Sequence, residues 1–166
     1  MLLYYMQNLI NKDFTCMNAA RSRSPKGFNL AIDGSEETTQ YLILGMMEEL
    51  GEISGVLKKI KRPFNKRDFD KVIQKQIQIS QIIDGPESEG DAQIFRELKW
   101  ENPSDQQIVK TLYLNQLYES LNSECADLFC YLDLFCCNSN IDIALAVTEK
   151  FNQVSEQLGC PQFKLP

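Results

Sequence analysis

The stretch Leu42-Ile-Leu-Gly-Met-Met-Glu-Glu-Leu-Gly-Glu-Ile-Ser-Gly-Val-Leu-Lys-Lys-Ile60 decides the fold class. Its apolar residues Leu42, Met46, Leu50, Ile53, Leu57 and Ile60 recur three and four apart, the period of one helix face and not of a strand. Upstream, Asp33 and Ser35 are both competent to cap the helix, and Glu36 and Glu37 suit its positive end. Downstream, Pro63 stops it. On a wheel at about 100° per residue, Glu49 lies about 55° from the centre of the apolar stripe, Glu52 about 115° and Glu48 about 155°.

The pattern returns in Leu117, Leu121, Leu128, Leu132 and Phe135, within a helix expected from near Ser104 to about Cys137. Glu124 lies about 45° from the centre of that stripe and Asp127 about 105°, on the same rotational side as before. Each helix therefore carries two acids three residues apart, the first at the edge of its buried face. An ionised carboxylate there is costly unless positive charge compensates it. Arginine, lysine or a hard cation would serve. Four carboxylates from two packed helices suit Mg²⁺, which prefers oxygen ligands and leaves positions open for phosphates. Paired acids on a helix are more often simply solvated, so spacing alone leaves both readings open.

Outward from these helices the pattern stays helical. Leu2 to Lys12 reads as a short amphipathic helix, and Asn18 to Gly27 as loop or helix end. A second helical piece runs from about Asp68 to Ile83, its isoleucines leaving some ambiguity with a strand. Asp84 to Gly90 carries loop signals, and a last helix covers Asp142 to Leu158 before Gly159-Cys160-Pro161. The expectation is an all-α chain, a bundle of four or five helices, with residues 1–166 forming one domain.

Composition removes several chemistries. The 166 residues contain no histidine, which excludes Ser-His and Cys-His catalysis and His-ligated zinc. Di-iron carboxylate bundles, which pair Glu with His, fall with them. A net charge of -6 argues against a nucleic-acid partner held by phosphate contacts. Residues 1–10 lack a basic leader and are interrupted by Gln7 and Asn8, so neither a signal peptide nor a membrane partner is expected. Six cysteines without a CxxC pair are expected to be reduced, buried thiols of a cytoplasmic protein.

Met46-Met-Glu-Glu-Leu-Gly-Glu52, followed by Leu57-Lys-Lys-Ile-Lys-Arg62, resembles the first motif of the MazG-like nucleotide pyrophosphohydrolases, an EExxE helix with trailing lysines and arginine. Glu124-Cys-Ala-Asp127, inside an apolar helix, looks like that family's ExxD motif. Ile141 to Val147 and Lys150-Phe-Asn-Gln-Val-Ser155 are similar to its closing segment, and Asn18-Ala-Ala-Arg21 to an NxxR element upstream. Four such segments in the family's order make the likeness specific.

The resemblance implies a Mg²⁺-dependent, MazG-like helical bundle that cleaves a nucleoside triphosphate between its α and β phosphates. It implies Glu49, Glu52, Glu124 and Asp127 as metal ligands and Glu48 and Glu49 as the catalytic acids, Glu48 being either a further ligand or the group that orients the attacking water. Lys59, Lys150, Asn152, Ser155 and Arg21 are the implied substrate contacts, in a homodimer or homotetramer. The chain departs from a compact member at about residues 65–104, which read as an insertion. Within it the single tryptophan, Trp100, is competent to stack on a base but better suited to a core or interface. The rival from another class is a catalytically idle all-α interaction or scaffold protein whose acids are solvated or paired with lysine and arginine.

Overall fold

Among residues 12–24, 30–83 and 89–165, which a computed structural model describes, every regular element is a helix. The order is α1 (Lys12–Arg23), α2 (Glu36–Lys61), α3 (Lys66–Ile83), α4 (Glu89–Glu97), α5 (Pro103–Asn138) and α6 (Ile143–Gln157), closed by a 3₁₀ turn at Pro161–Phe163. The all-α expectation holds. Six helices stand among the described residues, where four or five were expected of the whole chain. Apart from Lys12, the helix expected at Leu2 to Lys12 lies outside the described residues. No single described helix is long and apolar enough to cross a membrane.

Contacts gather into two compact units: Met1–Gly51 with Cys125–Pro166, and Glu52–Glu124. The segment 65–104 belongs wholly to the second.

In the first unit, Ala19, Leu42, Tyr131 and Leu134 form a core, with Leu30, Ile32, Met46 and Phe135 packed around it. Asn18 was expected in a loop or helix end, yet it sits inside α1. Its buried amide donates to the Asp133 carboxylate at 2.8 Å and to the Cys130 carbonyl at 3.0 Å, while Thr15 donates to Asp133 at 2.6 Å. These bonds give the polar face of α1 a partner on α5, which local propensity could not reveal. A little further along, at the last residue of α5, the Asn138 side chain accepts from Gly34 N at 2.8 Å and donates to the Ser35 carbonyl and the Thr39 hydroxyl. Gly34 takes φ +76°, the left-handed turn that frees Ser35 to cap α2 through Thr38 N. Asp33, the other capping candidate, accepts from Ser35 N instead.

Asp142 caps α6 by accepting from Leu145 N. Gly159, at φ +69°, ends it in a Schellman turn with Cys160 N donating to the Ser155 carbonyl.

In the second unit, Phe69, Val72 and Val109 form the core, joined by Phe64, Leu98, Trp100 and Tyr113. Trp100 packs edge-on against Phe69 at 5.7 Å, so its place is the core. Pro63 ends α2, and Asn65 caps α3 reciprocally, its Oδ1 accepting from Asp68 N while Asp68 accepts from Asn65 N. The buried Asp68 holds Arg62 through two bonds of 2.6 Å, and Arg62 also donates to the Tyr113 hydroxyl. That guanidinium keeps the Asp68 carboxyl below its ordinary value of 3.8. Helix α4 was missed because its Gly90 and acidic start read as loop, while Ala92 is buried and the helix packs on α3.

All six cysteines are free, but Cys16, Cys125 and Cys137 are exposed, which corrects the expectation of buried thiols. Cys136 alone is buried, and burial pushes its thiol above the ordinary range.

Two predictions follow from this packing. A Cβ built on Gly45 would lie 2.5 to 2.8 Å from the Tyr131 ring, whereas one on Gly55 meets nothing within 4 Å. Gly55→Ala should therefore stabilise by about 0.5–1 kcal/mol, the ordinary helical preference for alanine. Gly45→Ala should instead destabilise by about 1–3 kcal/mol through overpacking. Urea titrations followed by circular dichroism measure both, and a stabilising Gly45→Ala would contradict the ring placement. The second concerns Asp68, whose folded value is lowered, so its ion pair stabilises above 3.8 and is lost as pH falls through the lowered value. Asp68→Asn should melt below wild type at pH 7, and the gap should narrow as the pH is taken below 3.8.

Candidate metal centre

The burial along α2 departs from the expected stripe in a way that matters for its acids. Leu42, Gly45 and Val56 are buried, Met46, Glu49, Ile53 and Ile60 are half-buried, and Leu50 and Leu57 are exposed. The packed face is therefore turned by about 45° from the expected one, and Glu49 lies within about 10° of its centre. The cause is a small residue and a large one. Gly45 admits the ring of Tyr131, and the helix rolls that side inward. Leu50 and Leu57 join Ile43 and Met47 in a second apolar stripe facing outward.

Glu52 follows Glu49 by one turn of α2 and is exposed. Glu124, on α5, is half-buried, and the Ser120 hydroxyl one turn earlier donates to its Oε1 at 3.3 Å. Glu49, Glu52 and Glu124 each offer a carboxylate oxygen, and these oxygens all lie within 4.8 Å of one another. The octahedral sphere of Mg²⁺, with oxygens at about 2.1 Å, spans about 4.2 Å between opposite ligands. Three hard oxygen donors within 4.8 Å of one another stand close to that span and are of the type a divalent cation of that class takes.

Asp127, the fourth expected ligand, is exposed and is not in this group. Its charge is felt elsewhere. Burial pushes the Tyr131 phenol above its ordinary range, and Tyr41, Glu49, Glu48 and Asp127 push it the same way. Sequence reading passed over Tyr131. The signal was present as a glycine one turn before Glu49 and a tyrosine one turn after Asp127. Ser120, four residues before Glu124, was likewise available as a carboxylate partner.

The remaining expected residues are not in the acidic group. Glu48 is exposed. Lys59, also exposed, lines clefts of the second unit. Arg21 is exposed and donates to Asn18 Oδ1 at 3.3 Å. Lys150 donates to Gln153. Asn152 uses both ends of its amide on the backbone of Leu165, at 3.1 and 2.7 Å, and Ser155 is buried. In this conformation the closing segment ties down the chain end.

No family model, curated protein or solved structure matches this chain.

A cation held by the three carboxylates predicts a stability effect that needs no substrate. At a Mg²⁺ concentration about 100 times its dissociation constant, the folded chain should gain about 2.7 kcal/mol and its melting temperature should rise. Glu52→Gln with Glu124→Gln should abolish the rise, and the metal-free double variant should melt no lower than metal-free wild type. An equal Mg²⁺ response in variant and wild type, read by thermal denaturation, would contradict the site.

Proposed function

We propose that the chain is a Mg²⁺-dependent nucleoside triphosphate pyrophosphohydrolase of the MazG-like kind. The observation that carries the proposal is the grouping of Glu49, Glu52 and Glu124 within 4.8 Å, because these residues belong to the EExxE and ExxD segments that resemble that family. In this reading the three carboxylates hold the cation, and Asp127 joins them when substrate arrives. The bound cation would neutralise phosphate oxygens and lower the pKa of water, as divalent ions do in phosphoanhydride hydrolysis.

The protein's own part is positioning. Water adds across the α–β anhydride, the bond to the pyrophosphate leaving group breaks, and no side chain changes covalent partner. Without histidine the proton from water must pass to a carboxylate, and Glu48, exposed beside Glu49, is the acid outside the metal set for that role. Lys59, two turns beyond Glu52, supplies positive charge for a phosphate. Lys150 and Arg21, both exposed, are the cations available to further phosphate oxygens. Asn152 and Ser155 serve the nucleotide by fixing the closing helix, and Asn152 contacts it directly only when Leu165 is released. Six free cysteines suit a cytoplasmic address.

Assembly belongs to the same proposal. Ile43, Met47, Leu50 and Leu57 on α2, and Val147, Phe151 and Val154 on α6 with Leu158 just after it, form exposed apolar stripes, with Met47 63% and Leu158 73% accessible. Such stripes on helices are the usual surfaces of oligomers, here a homodimer or homotetramer. Met47→Asp with Leu50→Asp should then halve the mass seen by light scattering.

Incubated with nucleoside and deoxynucleoside triphosphates, the purified chain should release the monophosphate and pyrophosphate with Mg²⁺ and nothing with chelator. Glu49→Gln or Glu124→Gln should lower the rate by at least about 100-fold, the scale on which lost charge stabilisation acts in such reactions. Diphosphate with orthophosphate would mean another bond is cut. Silence across the whole panel would leave the catalytically idle interaction protein.

A further inference from the structure

The second unit carries a cationic cleft of which the proposed hydrolysis uses only Lys59. A cleft of about 230 Å³ is walled by Lys59, Arg62, Lys71, Lys75 and Gln116, with Asp68 its one acidic residue. Asp68 is already committed, both its oxygens held by Arg62 at 2.6 Å. Lys59, Lys71 and Lys75 therefore face the cleft with no further carboxylate lining it, in a chain whose net charge is -6. None of the three makes an ion pair among the described residues. Lys71 and Lys75 are one turn apart on α3, Lys59 comes from the last turn of α2, and Gln116 comes from α5. Two helices thus turn lysines toward one space, and a third adds an amide.

Gln116 decides what kind of ligand that is. Its Nε2 is buried and has no acceptor in the protein. A buried amide donor left without a partner is costly, and the lining offers mainly cationic and apolar side chains, its one carboxylate already held by Arg62. The complement is an acceptor with several oxygens and more than one negative charge. A carboxylate has two oxygens and one charge. A phosphate group has three or four oxygens and up to two charges, matching donors that approach from three sides. At about 230 Å³ the cleft is below the range of about 300–1,000 Å³ usual for drug-sized ligands, a size better suited to a phosphate or pyrophosphate group than to a nucleoside.

We infer that Lys71, Lys75 and Gln116, with Lys59, form a metal-independent binding site for a phosphate or pyrophosphate group. The inference does not rest on the hydrolase reading. Its residues are not those of the acidic group, and it needs no divalent cation. It gives the segment 65–104 a task, since that segment supplies two of the three lysines.

Calorimetric titration with inorganic pyrophosphate and then orthophosphate, in chelator and at fixed ionic strength, tests it on the full chain. Wild type should bind pyrophosphate, and Lys71→Gln with Lys75→Gln should weaken that binding at least tenfold while the helical signal and melting temperature are kept. Gln116→Leu should weaken it severalfold and raise the melting temperature of the ligand-free protein, because the unpartnered donor is gone. Glu52→Gln with Glu124→Gln should bind pyrophosphate as wild type does, even if it has lost every Mg²⁺ response. Competition by a nucleoside triphosphate in chelator would assign the site to the phosphate end of a nucleotide, and lack of competition to free phosphates; either supports the site. Equal affinity in wild type and the lysine double variant, or loss of binding in the glutamate double variant, would overturn it.

Discussion

Like charges held close together on two helices set the terms for this chain. Glu49, Glu52 and Glu124 offer carboxylate oxygens within 4.8 Å of one another, and ionised carboxylates so placed repel. Water around the exposed Glu52 screens part of that repulsion, and a cation among the three would relieve the rest. Much of the surrounding architecture serves to hold the acids in place. Gly45 admits Tyr131, whose ring rolls α2 until Glu49 lies on the packed face. Ser120 holds Glu124, and Asn18 and Thr15 secure α5 through the buried Asp133.

Charge is segregated along the two long helices. From Glu52 to Lys59 is seven residues of α2, and from Gln116 to Glu124 is eight of α5. At about 1.5 Å per residue the acidic group and the cationic cleft are about two turns apart on both. An overall acidic chain thus keeps a local positive field beside a local negative one, which net charge alone conceals.

The fold class was legible because α2, α5 and α6 each lie between their own signals: Pro63 after α2, Pro103 and Asn140 at the two ends of α5, and Asp142 and Gly159 around α6. What escaped depended on partners distant in sequence. Asn18 sits in α1 because Asp133, 115 residues away, accepts its amide. The rotation of α2 depends on a glycine and a tyrosine on different helices. A wheel drawn from hydrophobicity alone could not choose between the stripe of Leu42 and Ile53 and that of Met47 and Leu50, since both are apolar. The acids of the candidate site were singled out by their position relative to a buried face, and that face was drawn some 45° away from its true place. The closing segment shows the converse. Asn152 and Ser155 have the residue types of a nucleotide contact, yet one anchors Leu165 and the other is buried.

The central claim is that a divalent cation, and not lysine or arginine alone, answers the charge of Glu49, Glu52 and Glu124. Crystals soaked in Mn²⁺, whose anomalous scattering marks its position, test this most directly, because Mn²⁺ takes the same oxygen ligands as Mg²⁺. The account predicts an anomalous peak bonded to oxygens of all three carboxylates. A map with no peak among them, and with side-chain cations in contact with the three acids instead, would contradict it.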